Sequence, residues 1–295
     1  MYKRQIEASI IPDDIVIQPD GRIVVLGTSY LDSGNRTFMQ VWLVRFTSGG
    51  ELDSTFRDGG AFSYDVESSL EERAAGLGLA ANGDLLVAGS GGMTSPNNAY
   101  GGYLFATRLS PDGFVLRQEN TGIVAWASGP VAREMVVQPD GRILVAAAVG
   151  GIATLVRYRT DLTIDNSFSF DARSILGIGN IEDVVLQPDG KIVIGGEQNQ
   201  DMMIARLLPD GSLDPSFGQH GWVTYNLGGS ERVYGVAWHP SGYIIAAGSS
   251  SGNMAVIKLE AGPGNTAPSF APGADPVVVH PVRHHVRRPR AVAMA

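Results

Sequence analysis

The sequence predicts an all-β fold made of five repeats, and three observations support this prediction. A tight turn recurs, first as Gln18-Pro19-Asp20-Gly21, and its later copies follow at intervals of roughly 50 to 60 residues. Apolar runs of strand length flank every copy, as in Ile15-Val16-Ile17 and Ile23-Val24-Val25-Leu26. No segment of useful length shows the 3.6-residue period of an amphipathic helix.

The recurring turn has the chemistry of a hairpin with a bulge. Proline presets φ at one turn position, Asp or Asn occupies the next, and glycine supplies the left-handed residue that closes the turn. We therefore assign the most repeated motif of the chain to blade geometry and not to chemistry. The structural turn residues are Asp20, Gly21, Gly83, Asp140, Gly141, Asp189, Gly190 and Gly242.

The first four repeats contain four short strands in the same order, and the fifth contains three that end at Leu259. The third strand carries a basic residue, and a second turn follows, most clearly in Pro209-Asp210-Gly211-Ser212-Leu213-Asp214-Pro215-Ser216-Phe217. The apolar runs are continuous, which indicates sheets covered on both faces, and radial stacking around an axis satisfies that requirement. The sequence therefore predicts a β-propeller of four-stranded blades.

We predict a propeller over residues 1–262 and a disordered tail rich in Pro, Arg and His over residues 263–295. The five repeats lie at about 6–66, 67–122, 123–172, 173–226 and 227–260. Ile6–Ile10 alternates like a strand and would supply the missing fourth strand of the last repeat, closing a five-bladed ring. Residues 1–5 resemble a translated sequencing adapter, so a fragment of a six- or seven-bladed ring is the alternative, unless Met1 is an ordinary start.

Composition excludes several classes of function. The chain has no Cys, so it forms no disulfide, thiolate catalyst or zinc-thiolate site. The net charge is −8, and four of the arginines lie in the predicted tail, so the acidic body lacks the basic face that nucleic acid requires. No apolar run approaches the roughly 20 residues of a membrane-spanning helix.

The pairing of Gln187-Pro188-Asp189-Gly190-Lys191-Ile192 with the segment from Arg206 to Gly218 resembles the bacterial delta-60 repeat family. The resemblance covers residues 12 to about 260 and is strongest in repeats one, three and four. It implies a propeller-like domain, extracellular or on the cell surface, with no agreed biochemical activity. The order of turns is also similar, more loosely, to NHL-type and lactonase-type propellers, in which the strand before the first turn lines a central channel.

If that strand is innermost, charged residues that precede each glycine by seven to eleven positions face one mouth of the channel. They would bind a polar ligand, with arginines fixing its anionic groups, or coordinate Ca²⁺ through carboxylate oxygens. Solvated ion pairs that merely cap strands are the competing interpretation. The ten residues are Asp13, Asp14, Glu72, Arg73, Arg133, Glu134, Glu182, Asp183, Glu231 and Arg232.

Other candidates are better explained by structure. The basic residue of each third strand suits an ion pair with turn aspartates such as Asp20 or Asp189, whereas Asp53, Asp165 and Asp214 suit local turn hydrogen bonds. One segment matches the G-x-S-x-G motif of a nucleophile elbow, Gly248-Ser249-Ser250-Ser251-Gly252, but no predicted helix follows it. His220 and His239 lack metal-ligand spacing, and the four tryptophans (Trp42, Trp126, Trp222 and Trp238) occupy non-equivalent positions that favour packing.

No complete catalytic set is present, so we expect a non-catalytic scaffold that binds a protein or a glycan and needs no cofactor. Variable loops at Leu31–Arg36, Gly91–Gly101 and Gln198–Gln200 would contribute to recognition. One alternative is a metal-dependent lactonase or hydrolase that uses the channel carboxylates, with Ca²⁺ as its metal. Another is a structural segment of a larger repeat protein.

Overall fold

A computed structural model describes most of the repeat region. It covers residues 10–32, 37–66, 71–94, 100–121, 124–125, 130–149, 152–168, 170, 180–218, 220–260 and 277–279. Within these residues the regular structure is β, apart from one 3₁₀ turn at Arg57–Gly59. The predicted all-β propeller of five repeats is confirmed.

The strands form five consecutive blades. Blade 1 contains β1 (Ile10–Ile17), β2 (Ile23–Asp32), β3 (Thr37–Phe46) and β4 (Ala61–Tyr64). Blade 2 contains β5 (Glu71–Leu79), β6 (Leu85–Thr94), β7 (Tyr100–Leu109), β8 (Val115–Asn120) and β9 (Val124–Ala125). Blade 3 contains β10 (Val131–Val137), β11 (Ile143–Val149) and β12 (Ile152–Tyr158). Blade 4 contains β13 (Asn180–Leu186), β14 (Ile192–Gln198), β15 (Asp201–Leu207) and β16 (Trp222–Tyr225). Blade 5 contains β17 (Glu231–His239), β18 (Tyr243–Ser250), β19 (Asn253–Glu260) and β20 (Val277–Val279).

Within each blade, consecutive strands pair antiparallel, except that β9 pairs with β7 and not with β8. The first strands β1, β5, β10, β13 and β17 are neighbours of one another from blade to blade, so they form the inner wall around the propeller axis. Glycines close the first turns with positive φ, from 82° at Gly190 to 91° at Gly242. The aspartates beside them cap these turns, as where Arg22 N donates to Asp20 Oδ1 at 3.0 Å.

Blades pack through alternating faces of their strands. We call the face that contacts the preceding blade the near face and the opposite one the far face. Four apolar cores result, each joining the far face of one blade to the near face of the next. In the core between blades 4 and 5, for example, Val193 and Ile204 meet Val233, Val236 and Ile244.

The two ends of this series are uncovered in the part of the chain that the structure describes. Ile15 on the near face of blade 1 is 59% exposed, whereas its equivalent Leu77 in blade 2 is 5% exposed. Met254 on the far face of blade 5 is also 59% exposed, whereas its equivalent Met202 in blade 4 is fully buried. Among the described residues, no apolar core joins blade 5 to blade 1.

The outer strand of blade 5 differs from our expectation. Val277–Val279 pair with β19, with Met254 opposite Val279, although the sequence analysis assigns these residues to a disordered tail. Three consecutive β-branched residues favour a strand, and the surrounding Pro, His and Arg residues obscure that signal. The segment expected to fill this place is Ile6–Ile10: Ile10 instead pairs with Ser29 in β1, and residues 6–9 lie outside the described residues.

A repeated buried ion pair connects consecutive blades. In blades 1, 3 and 4 an arginine of the third strand pairs with the aspartate of the second turn, as where Arg157 Nε donates to Asp165 Oδ2 at 2.9 Å. The same guanidinium donates from Nη1 to the carbonyl of Pro209 in the second turn of the next blade at 2.6 Å. Our expectation that these arginines pair with Asp20 or Asp189 is therefore wrong, because those aspartates point back into their own turns.

Blade 2 forms an equivalent ion pair with an aspartate from a different turn. Its second turn has Leu116 at the position of Asp53, and the carboxylate comes instead from Asp84, directly after the first-turn glycine. Arg108 Nε donates to Asp84 Oδ2 at 2.7 Å. In the other blades the position of Asp84 is basic or aromatic, so the exchange preserves the local charge balance.

Candidate functional site at the channel mouth

Every inner strand contains a β-bulge at the same place, eight residues before the first-turn glycine. The pairing register shifts there in all five blades, for instance between Pro12 and Asp14. A bulge bends the strand and redirects the side chain of the extra residue. We call these extra residues the bulge residues: Asp13, Ala75, Arg133, Glu182 and Tyr234.

The bulge depends on close backbone contact with the second strand. At Gly196 an added Cβ would lie 2.0 Å from the carbonyl oxygen of Asn180, and at Gly248 it would lie 1.9 Å from that of Arg232. Glycine suits so close an approach to a carbonyl oxygen, and four blades have it at this position: Gly27, Gly89, Gly196 and Gly248. Blade 3 has Ala147 there with the same register shift, so glycine at this position of the second strand is a sequence signal for four of the five bulges.

Three predicted site residues follow the bulges and hold them in shape. We call Asp14, Glu134 and Asp183 the axial carboxylates. Each accepts the backbone N–H of the next residue, as where Val184 N donates to Asp183 Oδ1 at 2.7 Å. The second oxygen of Asp183 accepts from Val236 N at 2.7 Å, and that of Asp14 accepts from Leu77 N at 2.7 Å.

The hydrogen bonds from Asp14 and Asp183 to the next blade replace an acceptor that the next blade lacks. Blades 2 and 5 have Gly76 and Gly235 where the other blades have an axial carboxylate, so their bulge N–H groups lack a local acceptor. The carboxylate of the preceding blade takes that role across the blade interface. Asp14 and Asp183 therefore serve as structural links between blades.

Glu134 is the axial carboxylate with the most unusual ionisation. Burial raises its pKa to about 7, and the negative charges of Asp183 and Asp14 add to that rise, although the N–H of Met135 counteracts it. Burial also raises the pKa of Asp183, against the hydrogen bonds from Val236 and Val184. The three carboxylates thus interact around the axis, and Glu134 takes up a proton near neutral pH.

Ion pairs connect the bulge residues of blades 3 and 4 to blade 5. Glu182 lies 3.8 Å from Nε of Arg133 and 3.4 Å from Nη1 of Arg232. Arg232 also pairs with Glu197 at 2.6 Å. The side chains of Arg133 and Arg232 remain about one-third exposed, at 34% and 36%. Their guanidinium groups are therefore both held by ion pairs and accessible to solvent.

Two predicted site residues lie away from the open mouth. Glu72 and Glu231 are 1% and 0% exposed. Glu72 Oε1 accepts from the hydroxyl of Tyr103 at 2.8 Å, and Glu231 Oε1 accepts from that of Ser250 at 3.1 Å. The structure thus uses them inside the blades, where no ligand reaches them, because their positions alternate with those of the exposed residues. Arg73, one residue after Glu72, is exposed.

Asp13 and Tyr234 complete the mouth. The hydroxyl of Thr28 donates to Asp13 Oδ2 at 2.6 Å, which fixes that carboxylate. Tyr234 is 58% exposed, the only aromatic among the bulge residues. Sequence reasoning missed Tyr234, because it is uncharged and the search followed charge. We call Asp13, Arg73, Arg133, Glu182, Arg232 and Tyr234 the channel-mouth rim, after the position predicted for this end of the inner strands.

The remaining candidate residues either pack against other side chains or lie outside the described residues. Trp222 and Trp238 pack against the cores between blades 3 and 4 and between blades 4 and 5, and Trp42 donates to Ser29 Oγ at 3.0 Å. His239 stacks on Tyr243 with ring centroids 4.2 Å apart. Trp126 and the loop residues 33–36 and 95–99 lie outside the described residues.

Two further findings concern the described residues alone. No three of their His, Asp or Glu side chains are grouped so as to hold a metal ion. Among them there is also no helix with the length and apolar character needed to cross a membrane.

The bulged inner strands, the repeated turns and the four interblade cores define a β-propeller repeat protein. Its first, third and fourth repeats match the family model described as "Domain of unknown function (DUF5122) beta-propeller", over residues 18–56, 138–168 and 187–217. These segments make up about a third of the chain and contain the two turns and the Arg–Asp pair. None of the curated proteins compared matches the chain.

Solved structures support the same fold at low identity. The chain is similar to puromycin hydrolase, with 13% identity and a TM-score of 0.52, and it covers 36% of that enzyme while 85% of this chain is matched. It is also similar to a protein of unknown function from Dyadobacter fermentans, with 12% identity, a TM-score of 0.52 and coverage of 86% of this chain and 80% of the other. A Bacteroides caccae protein of unknown function shows 11% identity, a TM-score of 0.50 and coverage of 88% and 81%. Identities this low show the fold and not the activity.

Proposed function

We propose that this β-propeller is a non-catalytic scaffold that binds a protein or a glycan at its channel mouth. One observation carries the proposal. At the bulge position the five blades present a carboxylate, a methyl group, a guanidinium, a second carboxylate and a phenol. At the buried ion pair the blades instead repeat one residue type, with Arg45, Arg157 and Arg206 in equivalent places.

This difference favours a recognition role for the bulge position. The repeated arginine has one structural role in each of these blades, whereas a ligand-binding rim uses different groups aimed at different parts of one ligand. Guanidinium groups bind carboxylates, phosphates and hydroxyls, and an exposed tyrosine offers both an apolar face and a hydroxyl. The rim therefore suits an extended polar ligand such as a peptide segment or an oligosaccharide.

The resemblance to delta-60 repeats supports a place for this binding outside the cell or on its surface. The proposal is tested by screening the full chain on glycan and peptide arrays, alongside the double variant Arg133→Ala and Tyr234→Ala. The matched control is Arg117→Ala, which removes an exposed arginine of blade 2 away from the inner strands. We expect to find ligands that the natural chain and the control variant bind and that the rim variant does not bind. The proposal would be contradicted if the folded natural chain bound no ligand, or if the rim variant bound the same ligands equally well.

A metal-dependent lactonase or hydrolase that uses the channel carboxylates, with Ca²⁺ as its metal, is the alternative, although no three acidic or histidine side chains among the described residues are grouped to hold a metal ion. Glu134, whose pKa burial raises to about 7, is the carboxylate whose ionisation a bound cation would most change. The test is thermal unfolding with millimolar CaCl₂ for the natural chain and for Glu134→Gln. Stabilisation of the natural chain alone would support a metal site, and no stabilisation would reject the metal-dependent enzyme while leaving the binding scaffold unaffected.

A structural segment of a larger repeat protein is a third candidate, and the uncovered end faces favour it. Ile15 and Ile17 are 59% and 67% exposed on the near face of blade 1, where the other blades pack on a neighbour. Recovery of the flanking gene sequence tests this candidate. Further repeats of the same kind would support it, and flanking sequence without such repeats would reject it.

A further inference from the structure

A groove lies between blades 2 and 3 at the turn end of the inner strands, opposite the channel mouth. Its volume is about 590 Å³. The first turn of blade 2 forms one wall, from Leu79 to Asn82, and the first turn of blade 3 forms the other. Arg108 and Thr160 also line it. We call this space the turn groove.

Part of this space corresponds to one side chain that blade 1 has and blade 2 lacks. Gln18 of blade 1 is 4% exposed and fills the interface with blade 2. Its Nε2 donates to the carbonyl of Pro111 at 3.0 Å, and its Oε1 accepts from Arg45 Nη1 at 3.5 Å. Blades 3 and 4 keep this glutamine, whereas blade 2 has Ala80 at the same position.

The backbone around the missing side chain is unchanged. Gln18 N donates to Arg22 O at 2.8 Å, and Ala80 N donates to Asp84 O at 2.9 Å in the equivalent hairpin. The turn glycines have φ of 84° at Gly21 and 86° at Gly83. The groove of about 590 Å³ therefore includes the place of one glutamine side chain, although it is several times larger than that side chain.

Both hydrogen-bonding partners of that glutamine have counterparts in the groove. Arg108 takes the place of Arg45, and the carbonyl of Thr160 takes the place of that of Pro111. Arg45 Nη1 lies 2.7 Å from the Pro111 oxygen, but Arg108 Nη1 lies 3.5 Å from the Thr160 oxygen. The side chain of Arg108 is also 28% exposed, whereas that of Arg45 is fully buried. One donor and one acceptor thus face the groove with only a long contact between them.

The charges around the groove favour a neutral ligand over an anion. Arg108 is already paired with Asp84 at 2.7 Å. The Thr160 carbonyl oxygen and the Asp140 carboxylate would repel a second carboxylate, and unpaired charge in a half-buried site is costly. A primary carboxamide avoids that cost, because its oxygen accepts while its NH₂ group donates.

We propose that the turn groove binds a primary carboxamide, the side chain of a Gln or Asn on a partner protein. The amide oxygen accepts from Arg108 Nη1 and the amide nitrogen donates to the carbonyl oxygen of Thr160, as Gln18 does with its own two partners. The bound amide occupies the place of the glutamine side chain that blade 2 lacks at Ala80. This site does not depend on the proposed function at the channel mouth.

The first experiment uses N-acetylglutamine methylamide as the probe and N-acetylglutamate methylamide as its charged, nearly isosteric control. The full chain, labelled with ¹⁵N, is titrated while the backbone amides of Gly83 and Gly141 and the side-chain Nε–H of Arg108 are followed by NMR. We expect saturable shifts with the glutamine probe, with a Kd on the order of millimolar because a single side chain buries so little surface. Equal shifts with the glutamate probe, or none with either, would overturn the proposal.

Two variants separate the amide contacts from simple filling of space. Ala80→Gln supplies the missing side chain, so we expect loss of probe binding and a Tm raised by about 1–3 °C. Ala80→Met fills the same volume without an amide, so we expect loss of probe binding without that rise. Undiminished probe binding by both variants would show that the probe binds elsewhere and would overturn the proposal.

A second comparison distinguishes a protein side chain from a free small amide. A pentapeptide with a central Gln, flanked by Gly and Ser, is titrated beside propionamide. We expect the peptide to bind at least as tightly as the probe, because a partner protein must present the amide on a backbone. Binding of propionamide with exclusion of the peptide would contradict the assignment to a protein side chain.

Discussion

Arg45 donates from Nε to Oδ2 of Asp53 at 2.9 Å, and both side chains are almost completely buried, at 0% and 6% exposure. The guanidinium also lies over the ring of Phe56, 4.6 Å from its centroid. Arg157 with Phe168 and Arg206 with Phe217 repeat this arrangement at 4.4 Å and 4.7 Å. A buried ion pair tolerates desolvation only when its hydrogen bonds are complete, and this one recruits the next blade to complete them.

Removal of one member of this pair should destabilise the protein strongly. We expect Asp165→Ala to lower the free energy of unfolding by about 3–5 kcal/mol, because it leaves the guanidinium of Arg157 buried without its counter-charge. Denaturation in urea measures the loss. The matched control is Asp140→Ala, which removes an exposed turn aspartate from the same blade and should cost no more than about 1 kcal/mol. Equal losses for the two variants would show that the buried pair has no special role.

The turn aspartates should also make stability depend on acid pH. The hydroxyl of Ser167 is the main cause that lowers the pKa of Asp165 to about 2, and burial opposes it. Burial raises the pKa of Asp214, but hydrogen bonds from Ser216 and Lys191 outweigh it and lower that pKa to about 2. Unfolded aspartates titrate near 3.9, so the stability these groups contribute is complete above about pH 4 and is lost as pH falls towards 2.

Urea midpoints measured at about pH 5, 4 and 3 check this window. The variant Ser167→Ala removes the main hydrogen bond to Asp165, so we expect its urea midpoint to fall less steeply between pH 5 and pH 3 than that of the natural chain. A natural chain whose midpoint stays constant from pH 5 to pH 3 would refute the assignment.

Glu134 should produce the opposite dependence near neutral pH. Its folded-state pKa is about 7, above the usual value of 4.5, so the folded chain binds more protons than the unfolded chain between those values. Stability therefore falls as pH rises through this range. We expect Glu134→Gln to remove that fall. At pH 8 the free energy of unfolding of the variant should exceed that of the natural chain by about 1–2 kcal/mol, and at pH 4 the two values should be nearly equal.

Thermal unfolding between pH 4 and pH 8 measures this effect, with the exposed Glu51→Gln as control. The glutamine keeps an oxygen for the N–H of Met135, so the local bulge is retained. Parallel profiles for the natural chain and for Glu134→Gln would mean that Glu134 is ionised throughout.

The two ends of the blade series offer a test at equivalent positions. Leu77→Ala in blade 2 removes a side chain from an interblade core and should cost about 2–5 kcal/mol. Ile15→Ala, at the same position of blade 1, should cost less than about 1 kcal/mol, because Ile15 is 59% exposed. Chemical denaturation compares the two. Similar costs would reveal that the near face of blade 1 is covered in solution.

The turns and strands of this propeller could be predicted because they rest on local chemistry. The positive φ of Gly190 requires glycine, and the aspartate beside it caps the turn whatever the neighbouring blades do. The same holds for Asp214, whose Oδ1 accepts from Ser216 N at 3.0 Å two residues away. Sequence spacing records such contacts directly.

The partners across blades could not be predicted in the same way. Spacing located Asp183 on the inner strand, but only packing shows that it accepts the N–H of Val236 in the next blade. It likewise located Glu72 beside Arg73 without showing that one side chain is buried and the other exposed. Tyr234 was missed because it is uncharged and because its exposure depends on the bulge, which only its pairing with the second strand at Gly248 reveals.

The sequence by itself determined the repeat, the first turn of every blade and the strand order, because each depends on residues within a few positions of one another. The tertiary structure decided which charged side chains are buried within the blades and which are exposed. It also placed Val277–Val279 beside β19 and left a groove where Ala80 replaces a glutamine. These outcomes depend on contacts between residues tens of positions apart, and only the packing of one blade on the next brings such residues together.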